Sequence, residues 1–154
     1  MIDIYDALEE DIPEIQQLIH QCLPSKSNVV KRLYSEDALK QTLASDNRHL
    51  IIAIIDDVII GVCQYGIPIM DDCDCEDLRA IHAIFVHPDT DFEAVASALI
   101  YDVEETINTD ANIQRLSLFV EATNLSQIKF YASLGFIHDQ VEDSEHEWYM
   151  EKDL

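Results

Sequence analysis

Apolar residues recur along the chain with two periods, and each change of period marks a new element. Residues 2–5 read as a short strand. Asp11-Ile-Pro-Glu14 then opens a helix, with Asp11 as its cap and Pro13 in its first turn. Ile12, Ile15, Leu18, Ile19 and Cys22 follow at helical spacing until Pro24. Ser35-Glu-Asp37 starts a second helix, carrying Ala38, Leu39, Thr42 and Leu43. Residues 49–55 and 58–67 are Ile- and Val-rich runs separated by Asp56-Asp57, the pattern of a β-hairpin. Residues 78–86 are apolar on both faces, which suits a central strand, and Pro88 ends it. Val95, Leu99, Val103 and Ile107 form the stripe of a long helix from about Asp91 to Asn108. A strand at 115–121 precedes a helix capped by Asn124, with Ile128, Tyr131 and Leu134 on one face and Gly135 placed for the left-handed C′ position. Residues 136–141 and 147–150 are expected to close the chain as two strands.

The order β, α, α, β, β, β, α, β, α, β, β describes a mixed α/β (α+β) domain. One twisted sheet of about seven strands is expected, flanked by about four helices. A length of 154 residues suits one domain, 1–154, with one core. No linker, repeat or low-complexity tract interrupts it.

Composition changes the picture through charge. Asp and Glu total 31 against 9 Lys and Arg, a formal charge of -22, yet 48% of residues are hydrophobic. That much apolar material sets the chain apart from disordered polyanions. An acidic surface repels nucleic acid phosphates and anionic lipids, so neither is expected as a partner. It attracts cations such as an amine substrate or a basic protein. Without an apolar run of spanning length or a signal-like start, the chain is expected to be cytoplasmic, as a monomer or homodimer. Four cysteines lack a disulfide framework. Cys73 and Cys75, in Asp71-Asp-Cys-Asp-Cys-Glu-Asp77, are read as part of an acidic loop, and no metal site is expected.

Two motifs then carry a resemblance. Leu118-Phe-Val-Glu-Ala-Thr-Asn124 followed by Ile128-Lys-Phe-Tyr131-Ala-Ser-Leu-Gly-Phe136, and Ile84-Phe-Val-His-Pro88, in this order and spacing, resemble the GNAT family of acyl-CoA-dependent N-acetyltransferases. The resemblance implies the GNAT fold and acetyl-CoA as donor. It places the acyl group on the main chain of Ile84, Phe85 and Val86, and the pyrophosphate on the turn Asp91, Phe92, Glu93, Ala94, Val95 and Ala96. Asn124 would contact the pantetheine arm, and Tyr131 would protonate the departing thiolate. His82 aligns with a strand position where many relatives carry a basic glutamate, and Glu121 is a further acid candidate. Each has an ordinary structural reading beside the functional one: Tyr131 and His82 as satisfied core residues, Asn124 as a helix cap, Glu121 as a solvated strand end.

The turn departs from the family's Arg/Gln-x-x-Gly-x-Gly/Ala pattern. Asp91 takes the basic or amide position, and the three glycines, Gly61, Gly66 and Gly135, all lie elsewhere. Acidic residues at a helix start cap the helix well. Against a bound pyrophosphate, each carboxylate within about 6 Å would cost on the order of 3 kcal/mol at an effective dielectric near 20. Two functions follow. One is acetyl transfer to a cationic amine, with weakened or lost cofactor binding. The other is an inactive GNAT-fold module that binds a basic partner.

Overall fold

The computed structural model describes residues 1–23, 32–68 and 76–154. Cys73 and Cys75 lie outside the described residues. The strands are β1 (Asp3–Asp6), β2 (Arg48–Ile55), β3 (Val58–Gly66), β4 (Leu78–Val86), β5 (Arg115–Glu121), β6 (Ile137–His138) and β7 (Glu147–Asp153). The helices described are α1 (Ile12–Cys22), α2 (Glu36–Ala44), α3 (Phe92–Ile107) and α4 (Leu125–Ser133). Hydrogen bonding orders the strands β1-β2-β3-β4-β5-β7-β6 in one mixed sheet, mostly antiparallel. The chain forms two compact units, residues 1–65 with 83–103 and residues 66–82 with 104–154.

In the first unit the β2–β3 hairpin turns on Asp56 and Asp57, with φ of 50° and 64°. Two successive left-handed residues are the signature of a type I′ turn, which matches the strand twist and which aspartate tolerates better than most residues. Ile12, Ile15, Leu18 and Ile19 of α1 bury against Leu39, Leu50, Ile52, Ile59 and Val62. Glu14 fixes the docking, because its Oε2 accepts the Ile59 N–H at 2.7 Å. On the other face α3 approaches β3 so closely that a Cβ on Gly61 would lie 2.6 Å from Val95 Cγ1. Asp11 does not cap α1, contrary to the sequence reading. A 3-10 turn at Glu9–Asp11 runs straight into the helix, so Asp11 already has helical angles, and its Oδ2 accepts the Leu8 N–H at 2.8 Å. Ser35 does cap α2, through the Ala38 N–H at 3.1 Å.

In the second unit β5 pairs with β7 along its whole length, from Arg115↔Asp153 to Glu121↔Glu147. That partnership carries β7 three residues past the expected end at 150. The strand expected at 136–141 shrinks to Ile137–His138, and a 3-10 turn occupies Gln140–Glu142. Asp143 explains the change: its carboxylate accepts the Tyr149 N–H at 2.8 Å and lies 2.8 Å from His138 Nε2, so side-chain bonds replace the ladder. Helix α4 ends as its sequence implies. Gly135, at φ 100°, donates to Ala132 O, and Phe136 donates to Tyr131 O at 3.1 Å, the paired bonds of a Schellman cap. Arg115 joins Asp77 and Glu151 at 3.0 and 2.9 Å, and the Tyr149 hydroxyl donates to Glu151 at 2.8 Å.

Candidate active site

The parallel ladder between β4 and β5 runs from Leu78↔Arg115 to Ile81↔Leu118 and ends there, while β4 continues to Val86 and β5 to Glu121. The β4 main chain after Ile81 therefore keeps, on that edge, N–H and C=O groups that the ladder does not use. Backbone groups of this kind need partners when water is excluded, so this stretch suits an amide-bearing ligand in extended form.

Side chains hold β4 in place from the first unit. Phe85 meets Tyr34 edge to face, with ring centroids 5.1 Å apart, and packs on the core under α1. Val86 is 8% exposed, and its carbonyl accepts the Cys22 thiol at 3.1 Å. Burial pushes the Cys22 thiol above its usual range despite that hydrogen bond, so it stays protonated at neutral pH and acts as a donor. The His87 N–H donates to Ile60 O at 2.8 Å, which carries the strand direction into the turn.

The turn itself is closed by its own groups. His87 Nδ1 accepts the Asp89 N–H at 3.1 Å, and the His87 carbonyl accepts both the N–H and the hydroxyl of Thr90. Asp91 Oδ1 accepts the Ala94 N–H at 3.3 Å, and Val95 N–H to Asp91 O, at 3.1 Å, begins the helical ladder. Val95 and Ala96 are buried, Phe92 is half-buried, and Asp91, Glu93 and Ala94 face solvent. Helix α3 carries Glu93, Asp102, Glu104 and Glu105 and no Lys or Arg. A diphosphate at a helix start needs unpaired N–H groups and a positive field. Here the Asp89, Thr90 and Ala94 N–H groups are already engaged, and Asp91 and Glu93 put carboxylates at the helix start. The turn fits a diphosphate poorly.

The remaining candidates belong to the second unit. Tyr131 is 6% exposed, with ring centroids 5.2 Å from Phe130 and 6.1 Å from Phe136. Asn124 Oδ1 accepts the Gln127 N–H and the Ser126 hydroxyl, both at 3.2 Å, so the expected capping role is real. Glu121 is exposed at the end of β5, directly opposite Glu147, and its carbonyl accepts the Asn124 N–H at 3.0 Å. Glu121 and Asn124 are thus brought together, whereas Tyr131 lies two turns further along α4. His82 is half-buried on β4, with Nε2 shielded from solvent. Sequence reasoning missed Cys22 and His87 as supports of the β4 end. Cys22 carried no signal beyond its place on an apolar stripe. His87 had a local one, a ring nitrogen two residues before an N–H in a tight turn. Among the described residues no cluster of three or more His, Cys, Asp or Glu is placed to hold a metal ion. No described helix is long and apolar enough to cross a membrane.

The family model of the Acetyltransferase (GNAT) family matches residues 12–136. The chain belongs to the GNAT family. Solved GNAT structures share its fold at low sequence identity. The PaiA N-acetyltransferase from Thermoplasma acidophilum, in complex with coenzyme A, superposes with a TM-score of 0.83 at 16% identity, over 100% of this chain and 99% of that one. The ribosomal-protein-S18-alanine N-acetyltransferase from Escherichia coli gives 0.75 at 16% identity, over 99% and 94%. A GNAT-family acetyltransferase from Streptococcus pneumoniae gives 0.74 at 16% identity, over 100% and 99%. No curated protein sequence matches the chain.

Proposed function

We propose that this protein is an N-acetyltransferase that moves an acetyl group from acetyl-CoA to a cationic amine, a polyamine or an amine of a basic protein, with weakened affinity for the donor. The observation that carries this reading is the early end of the β4–β5 ladder, which leaves strand backbone for the acyl arm just where the family motif Ile84-Phe-Val-His-Pro88 stands.

The chemistry asks three things of the chain. The acceptor must lose a proton to become a nucleophile, and His82 or Glu121 serves as base. The neutral nitrogen attacks the thioester carbonyl; a C–N bond forms, the C–S bond breaks, and the β4 N–H groups of Ile84 and Val86, which alternation turns away from β3, stabilise the transient oxyanion. The thiolate then takes a proton, which the family resemblance assigns to the Tyr131 hydroxyl. The charge of -22 draws the cationic acceptor in. The test is release of free thiol from acetyl-CoA in the presence of a polyamine, with Tyr131→Phe expected to slow it by about tenfold or more.

A second reading, a GNAT-fold module that binds a basic partner without catalysis, is favoured by the carboxylate of Asp91 on the Ala94 N–H. It is the outcome if folded protein releases no thiol from any acyl donor.

A further inference from the structure

The mismatch at the start of α3 has a chemical consequence for the donor. In this fold the turn after β4 would grip a diphosphate, but here its own groups take up three of its N–H groups: His87 Nδ1 on the Asp89 N–H, His87 O on Thr90, and Asp91 Oδ1 on the Ala94 N–H at 3.3 Å. The Asp91 carboxylate stands where an anion would, so the helix start already has its negative charge. Glu93 follows it, and α3 offers no cation to offset either. The β4 edge beyond Ile81, by contrast, is untouched by the ladder and suits amide groups, which are what a pantetheine-like arm carries.

We infer that the nucleotide half of the donor contributes little to binding, so that the protein uses a thioester on a pantetheine-type arm without a diphosphate about as well as it uses acetyl-CoA. This rests on the acetyltransferase reading above. The bonds made and broken are the same with either donor: the amine nitrogen takes the acetyl carbon, the C–S bond breaks, and the thiol leaves with a proton.

The experiment compares kcat/KM for acetyl-CoA and for S-acetylpantetheine with one polyamine acceptor, in the wild type, Asp91→Asn and Asp91→Arg. Asparagine keeps the cap on Ala94 and removes only the charge, so it reports even if arginine loosens the helix start. A wild-type preference for acetyl-CoA below about tenfold is the expected result, and Asp91→Arg should raise that preference by about tenfold or more by lowering the KM for acetyl-CoA alone. A wild-type preference above about tenfold overturns the inference while leaving the acetyltransferase reading intact. A preference that neither Asp91 variant moves overturns the part assigned to Asp91. No turnover of either thioester overturns the acetyltransferase reading itself.

Discussion

Gly61 leaves no room for an added atom, and Gly61→Ala tests whether α3 is seated as described. The new Cβ would fall 2.6 Å from Val95 Cγ1, 3.2 Å from Leu99 Cδ1 and 3.4 Å from Ala53 Cβ. Carbon atoms rest at about 3.5–4.0 Å, so the Val95 contact is short by roughly 1 Å. Val95 cannot swing away cheaply, because a β-branched side chain in a helix has one strongly preferred rotamer. The helix must move instead. Overpacking of this kind costs about 1–3 kcal/mol, and replacing a strand glycine returns about 0.4–1 kcal/mol by restricting the unfolded chain. A net loss of about 1–2 kcal/mol is expected, which for a chain of this size lowers Tm by about 2–8 °C. Urea and thermal unfolding followed by circular dichroism read both quantities. Adding Val95→Ala should recover part of the loss, with a coupling of about 1 kcal/mol. Because Val95 N–H bonds to Asp91 O, the single variant should also disturb the turn. Unchanged or raised stability in Gly61→Ala would refute the close packing of α3 on β3.

Other perturbations read other parts of the chain. Asn124→Ala removes the Oδ1 cap on Gln127 and should cost about 1 kcal/mol in urea unfolding. Gly135→Ala forces an L side chain to φ 100° and should cost about 1–2 kcal/mol by the same measurement. For pH, the Arg115 hydrogen bond beside Asp77 holds that carboxyl below its ordinary value, offsetting the opposing effect of desolvation. At Asp143 desolvation pushes up, but the Tyr149 N–H and His138 outweigh it and the net shift is also down. A depressed carboxyl adds stability that is present above its unfolded pKa, near 4, and is lost as pH falls through the folded value. Stability should therefore fall below about pH 4, and Asp77→Asn should flatten that fall relative to wild type in unfolding curves from pH 7 to 2.

The sequence was legible where one local rule decides the outcome. The apolar stripe of α3, the Asn124 cap and Gly135 each follow from period or backbone chemistry, and each stands in the structure as expected. The Asp56-Asp57 hairpin was equally plain, since a two-residue connection between β-branched runs permits few turns. Asp11 and the strand at 136–141 were misread because neighbouring residues offered competing bonds. An upstream 3-10 turn absorbed Asp11, and the Asp143 side chain replaced backbone pairing with bonds to Tyr149 and His138. At the candidate site, the family resemblance implied positions for an acyl arm and a diphosphate. They could not show that His87 Nδ1 and Asp91 Oδ1 already hold the Asp89 and Ala94 N–H groups, because such bonds depend on the geometry of the turn.

The account turns on whether the donor is bound despite that self-closed turn. Calorimetric titration of the protein with acetyl-CoA, alongside Asp91→Arg with Phe92→Gly and Ala94→Gly, measures it directly. The account predicts weak saturable binding by the wild type, with matching thermal stabilisation by mass action, and a gain of about tenfold or more in the variant. No heat and no stabilisation at millimolar acetyl-CoA in either protein would contradict it.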